Sequence, residues 1–156
     1  MKIKNITQTA VFALFMMAFS GLNAQVNKGA LMVGGSVSFE SSDGESAFKF
    51  EPQLGYFLAK NLGVGVNFNI DIEEETQLEF GPFVRYYAWK GLFPQVGFTY
   101  SKEGEDEAAT TFNLALGYSL FANTNVAFEP TIRYNIYDGG GDLYLGVGVQ
   151  AFLGRK

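Results

Sequence analysis

Leu143-Tyr144-Leu145-Gly146-Val147-Gly148-Val149-Gln150-Ala151-Phe152-Leu153 is the stretch that decides the fold. Leu143, Leu145, Val147, Val149, Ala151 and Leu153 share one parity, and Tyr144, Gly146, Gly148, Gln150 and Phe152 share the other. A period of two is the side-chain period of a β-strand, not of a helix. Eight segments carry the alternation: residues 30–40, 47–58, 63–72, 77–89, 92–101, 110–121, 126–137 and 143–153. Each is roughly the length a tilted strand needs to cross a bilayer, about ten residues. The expected fold is all-β, an eight-stranded antiparallel up-and-down transmembrane β-barrel.

Working outward, the apolar parity decides what surrounds such a barrel. Phe50, Leu54, Tyr56 and Leu58 lie on one strand, Leu114, Leu116, Tyr118 and Leu120 on another. An eight-stranded barrel is only just wide enough inside for side chains to fill it. That many large groups do not fit the bore, so they face outward. Gly63, Gly65, Asn67 and Asn69, and Thr111, Asn113, Ala115, Gly117 and Ser119, take the inner parity. Apolar outside and polar inside is the pattern lipid requires. Tyr56, Tyr86, Trp89, Phe93, Tyr118, Phe121 and Phe128 toward one end, and Phe39, Phe48, Tyr100 and Phe112 toward the other, read as two interfacial aromatic girdles. Pro52, Pro82 and Pro130 fall inside strands, where proline breaks a ladder, so bulges are expected there.

The connections divide by end. Residues 59–62, 90–91 and 122–125 are tight and carry Asn or Gly. Residues 41–46, 73–76, 102–109 and 138–141 are acidic or Gly-rich and fall at the opposite end. Lys28, Lys60, Lys90, Arg155 and Lys156 collect with the tight turns. Outer-membrane barrels have short periplasmic turns and longer extracellular loops. The acidic loops are therefore expected outside the cell and both termini in the periplasm.

The first 24 residues read separately. Lys2 and Lys4 precede an apolar run from Ala10 to Phe19, and small residues lead to Ala24. This is a secretory signal peptide, with the cut expected after Ala24 and a barrel domain over 25–156. The chain has 11 basic and 16 acidic residues; without Lys2 and Lys4 the count is 9 against 16, a net charge of −7. That excess argues against nucleic acid as a partner.

Pro52-Gln53-Leu54-Gly55-Tyr56, Pro82-Phe83-Val84-Arg85-Tyr86 and Pro130-Thr131-Ile132-Arg133-Tyr134 share a Pro-x-aliphatic-x-Tyr pattern. Together with Met32 to Phe39 and Asn61-Leu62-Gly63-Val64-Gly65, it resembles the small outer-membrane β-barrel domain proteins of Bacteroidota, relatives of the OmpA/OmpX-type barrel. The resemblance implies insertion by the outer-membrane assembly machinery. Such barrels often end on an aromatic residue, whereas Phe152-Leu153 is followed here by Gly154-Arg155-Lys156. No appended periplasmic domain is expected.

The chain has no His and no Cys, which removes His-dependent triads, thiolate chemistry and His-ligated metals. No catalytic, cofactor-binding or metal residue is assigned, and an enzyme is not expected. Glu51 and Glu129 could do acid–base work only in a cleft that the sequence does not suggest. The carboxylate runs at 71–75 and 103–107 lack EF-hand spacing and read as a solvated face. The inner parity does carry Lys49, Glu51, Glu79, Arg85, Glu129 and Arg133. Buried charges must be paired, so these six are expected to form an ion-pair network that stiffens and plugs the lumen. The function expected is structural or surface-interacting, with outer-membrane lipid and lipopolysaccharide as surroundings and a monomeric state. A narrow channel for ions or small solutes is the alternative, and a soluble periplasmic ligand-binding barrel the second.

Overall fold

The computed structural model describes residues 25–42, 45–71, 77–101 and 108–155. Residues 1–24, where a signal peptide is expected, together with 43–44, 72–76, 102–107 and Lys156, lie outside the described residues. For residues 39–42, 45–48, 70–71 and 77–78, only the backbone is described.

Every described element is a strand: β1 Leu31–Ser42, β2 Glu45–Ala59, β3 Leu62–Asp71, β4 Gln77–Tyr86, β5 Leu92–Ser101, β6 Ala109–Tyr118, β7 Leu120–Phe121, β8 Val126–Tyr137 and β9 Gly140–Leu153. Neighbours in sequence pair antiparallel, and β1 pairs β9 from Leu31↔Leu153 to Phe39↔Leu145. That last pairing closes the sheet and abolishes its edges. Segments β6 and β7 both pair with β8, Gly117 opposite Thr131 and Leu120 opposite Phe128. They are two pieces of one barrel strand, so the barrel has eight.

Proline makes the interruption, and it does so without a bulge. Pro130 has no N–H to give, and the ladder skips from Gly117↔Thr131 to Leu120↔Phe128. Pro52 leaves the same gap between Phe50↔Ile70 and Gln53↔Asn67, and Pro82 between Phe80↔Tyr100 and Phe83↔Gly97. Each gap advances three residues on both strands, so nothing is inserted and the register is kept. Missing rungs replace the bulges expected from the sequence. The register shift that does occur lies between Phe57 and Ala59, next to the β2–β3 turn.

Turn chemistry follows residue type. Lys90 and Gly91 both have positive φ, 42° and 101°, between the bridged pair Trp89 and Leu92. This is the twist that a two-residue hairpin needs. Asn61 takes φ 64° between Ala59 and Leu62. Asn123 Oδ1 accepts the N–H groups of Asn125 and Val126 at 2.8 and 2.9 Å. At the opposite end, the expected loop at 138–141 contracts. Tyr137 pairs with Gly140, leaving Asp138 and Gly139, the latter at φ 93°. Likewise, Ser42 pairs with Glu45. Two of the four acidic connections are therefore short, because polar hairpins such as Ser41-Ser42 and Glu45-Ser46 keep pairing beyond the apolar belt.

The outward parity is as the alternation requires, except that Leu120, expected on the exposed apolar face, is only 8% exposed. Leu145 is 62% exposed, and Leu54, Val84, Val96, Leu116 and Ile132 stand out with it. Inward glycines leave room for inward rings. Phe57 sits opposite Gly63, Phe83 opposite both Gly65 and Gly97, and Phe93 opposite Gly117. A Cβ on Gly65 would lie inside contact distance of the Phe83 ring and of the Leu54 carbonyl. Gly65→Val should therefore overpack the bore and cost about 1–3 kcal/mol. The check is a lowered urea midpoint for the detergent-folded protein, with Val64→Ala on the outer face as the control that moves less.

Candidate functional site

Among the described residues the interior is the barrel lumen, and three levels of side chains occupy it. The level at the turn end is aromatic. Phe57, Tyr87, Phe93, Phe121 and Phe152 come from different parts of the barrel and meet near its axis. The ring centroids of Phe57–Tyr87, Tyr87–Phe93 and Phe121–Phe152 stand 5.9, 5.4 and 5.4 Å apart. Phe93 and Phe121 are 0% and 1% exposed. The girdle expected from the sequence loses these two residues to the lumen. Each shares the inner parity: Phe93 with Gln95 and Gly97, Phe121 with Ser119 and Gly117. Tyr56, Tyr86, Trp89 and Phe128 remain on the outer surface at this end, and Phe80, Phe98 and Tyr100 toward the other.

The segment before β1 completes this level. Val26 and Ala30 are fully buried. Val26 N–H donates to Asn61 Oδ1 at 3.0 Å, and Asn61 N–H donates back to the Val26 carbonyl at 2.8 Å. From the other terminus, the Arg155 guanidinium lies over the Phe121 ring at 3.6 Å. It donates to the Gln25 and Thr124 carbonyls at 2.9 and 2.6 Å. Burial draws its pKa below the ordinary value, but a guanidinium starts so high that it remains a cation.

The middle level is built on Arg85, 3% exposed. Its Nη1 donates to Glu129 Oε2 at 2.7 Å, its Nε to Gln95 at 2.8 Å and its Nη2 to Gln53 at 3.2 Å. The guanidinium also lies over the Phe93 ring, 4.0 Å from the centroid, which ties the polar level to the aromatic one. Glu129 is as deeply buried, and its Oε1 accepts from Tyr87 at 3.0 Å and Ser119 at 2.5 Å. Gln150 donates to Gln53 at 2.8 Å. A second pair lies next to this one on the side of the acidic end. Arg133 grips Glu51 in a two-point contact at 2.6 and 2.5 Å, which fixes orientation as well as charge.

The third level opens toward the acidic end. A cavity of about 130 Å³ is walled by Lys49, Glu51, Asn67, Asn69, Glu79, Arg133, Asn135 and Tyr144, among others. Glu79 accepts from Asn69 at 3.0 Å, and Lys49 and Arg133 stand over the Tyr144 ring at 5.9 and 5.2 Å. The Oδ1 atoms of Asn67, Asn69 and Asn135 are buried without a protein partner. A polar space of this size holds several waters, which would satisfy them. A second cavity, of about 30 Å³, lies between Ser38, Arg133 and Gln150.

The six charged residues singled out by sequence all lie inside the barrel, in two separate ion pairs and one vestibule. Sequence reasoning missed Gln53, Gln95, Ser119 and Tyr87, which complete the shells of Arg85 and Glu129, and Gln150, which braces Gln53. Their inner parity was the available signal. Among the described residues, no group of three His, Cys, Asp or Glu is placed to hold a metal.

The architecture has known counterparts. The N-terminal β-barrel domain of Pseudomonas aeruginosa OprF superposes with a TM-score of 0.65 at 12% identity, covering 81% of this chain and 98% of that one. A de novo designed transmembrane β-barrel gives 0.58 at 17% identity, covering 81% and 98%. The Yersinia pestis outer membrane protein Ail in a phospholipid nanodisc gives 0.51 at 12%, covering 81% and 99%. At such identities the likeness shows the fold: a closed eight-stranded barrel of the outer-membrane type. No protein-family model and no curated protein sequence matches the chain.

Removing one partner of a buried pair strands the other charge at a cost of about 3–5 kcal/mol. Glu129→Gln should lower the unfolding midpoint by that order. Arg85→Met combined with Glu129→Gln should recover much of the loss, and unfolding in urea measures both.

Proposed function

We propose that this chain is an integral outer-membrane β-barrel with a structural or surface-interaction role and no enzymatic one, its lumen plugged rather than conducting. We place it with the small Bacteroidota barrels that its Pro-x-aliphatic-x-Tyr segments resemble. In this reading residues 1–24 are removed on export, the termini are periplasmic and the acidic connections face the medium. The surroundings are outer-membrane lipid and lipopolysaccharide, insertion is by the outer-membrane assembly machinery, and the protein is monomeric.

The exposed apolar belt carries the membrane part. Leucine, valine and isoleucine on the outer face of every strand have no place in water, where a barrel exterior is rich in Lys and Glu. Lipid accepts them, and closure satisfies the backbone there. The neighbours' printed descriptions, outer membrane protein and transmembrane barrel, support the same setting. The soluble ligand-binding alternative calls for an open lumen lined by Leu and Phe. Here the phenylalanines pack on one another, and the cavity that remains is polar.

The plug rests on the two lower levels. An ion crossing the lumen meets Arg133–Glu51, then the Arg85 cage, then a contiguous layer of rings. The vestibule above them favours the channel reading, but it stops at the first pair.

Two measurements test the proposal. The protein should fractionate with the outer membrane and run faster on a gel unboiled than boiled; recovery in the soluble fraction without detergent would refute the membrane assignment. In planar bilayers, the wild type should give no reproducible unitary current. Steps that change on Arg85→Ala would establish a conducting lumen instead.

A further inference from the structure

The two ends of this barrel differ in charge far more than its net charge suggests. Residues 25–30, 55–66, 86–96, 116–128 and 149–155 build the turn end, and they contain no Asp or Glu. They carry Lys28, Lys60, Lys90 and Arg155. Arg155 is engaged with the Gln25 and Thr124 carbonyls and the Phe121 ring. The three lysines are exposed.

The lysines are not spread evenly. Lys28 precedes β1, Lys60 lies in the β2–β3 turn and Lys90 in the β4–β5 turn. All three stand on the arc from β1 to β5. The turn between β7 and β8, Ala122-Asn123-Thr124-Asn125, has no charge at all. The same arc carries Tyr56, Tyr86 and Trp89, all exposed, with Trp89 at 66% the most exposed large apolar side chain of the described barrel. Lys90 Nζ stands 5.3 Å from the Trp89 ring centroid. Rings with a polar edge settle at headgroup depth, and lysines beside them reach the phosphates.

We infer that the β1–β5 arc of the turn rim is a docking surface for anionic phospholipid, with Lys28, Lys60 and Lys90 taking headgroup phosphates and Tyr56, Tyr86 and Trp89 lying among the upper acyl chains. The acidic end does not cancel the attraction. It lies a bilayer's thickness away, about 30 Å, whereas surface charge is screened within about 8 Å at physiological salt. This inference rests on the membrane reading above and adds a lipid preference and a side to it.

Trp89 is the chain's single tryptophan, so its fluorescence reports on this arc alone. The protein is folded into phosphatidylcholine vesicles containing equal mole fractions of phosphatidylglycerol and phosphatidylcholine probes, one brominated at a time high on its acyl chains. Brominated phosphatidylglycerol should quench Trp89 more strongly. An enrichment of roughly fivefold is the scale expected for one lysine at an anionic surface. The excess should fade in high salt and in the triple variant Lys28→Gln, Lys60→Gln, Lys90→Asn, which must still show the heat-modifiable band. A tryptophan moved to the turn that carries no lysine, Trp89→Phe with Thr124→Trp, has only the engaged Arg155 beside it and should show a smaller excess. Equal quenching of Trp89 by the two lipids, or an equal excess at position 124, would overturn the inference and leave the membrane reading standing. No quenching by either lipid would also overturn the inference, since Trp89 would then lie outside the acyl chains, while the membrane reading stands or falls on fractionation.

Discussion

Bore width governs this molecule. Eight tilted strands enclose a space that side chains just fill, so several of the largest inward rings are matched by a glycine across the strand pair. Phe57 stands over Gly63, Phe83 over Gly65 and Gly97, and Phe93 over Gly117. The glycines are the seats of the rings. A strand glycine ordinarily costs stability through entropy and lost packing, and here a ring laid over its bare Cα returns the packing. The same constraint forces Leu, Val and Ile outward, because the seats are already taken. The apolar exterior is thus a consequence of what the interior can hold, as well as a match to lipid.

Within that bore, a buried charge is tolerable only where it is paired. Arg85 places its guanidinium between a carboxylate, two carboxamides and an aromatic face, and Glu129 takes its remaining contacts from Tyr87 and Ser119. Such a shell does not make the pair a net source of stability, since hydrophobic replacements of a buried pair are often neutral or better. Its effect is on register. Arg85 and Glu129 belong to strands that are not sheet neighbours, and so do Arg133 and Glu51. A slip of one residue in any of those strands would send a charge to the apolar exterior.

Parity carried most of what was legible in the sequence. It gave the strand number, the outward set, and the inward placement of Arg85, Glu129, Arg133 and Glu51. It did not say which arginine meets which carboxylate. Arg133 and Glu51 lie 82 residues apart and face each other only after closure, which no local pattern encodes. Phe93 and Phe121 show a different limit. Aromatic residues near strand ends suggest an interface, but these two share their parity with Gln95 and Ser119, and parity prevails. The prolines show a third. A missing N–H can be absorbed by a bulge or by an empty rung, and the sequence does not distinguish them. Empty rungs prevail here because a bulge would invert the parity of every residue beyond it, whereas a skipped rung leaves the inward charges where they are.

The three levels also follow an order along the axis. The aromatic layer lies at the end with the lysines, and the polar vestibule lies at the end with the carboxylates. The hairpins at the vestibule end keep pairing past the apolar belt with Ser, Glu and Gly, and water reaches the inside of the barrel there. At the other end, the chain before β1 folds inward, burying Val26 and Ala30 against the rings, and Arg155 binds the two terminal segments together across that mouth. A closed ladder makes the wall stiff but does nothing for an open mouth. Val26, held through Asn61, and Arg155, held through Phe121, complete at the turn end a packed core that the strands alone leave unfinished.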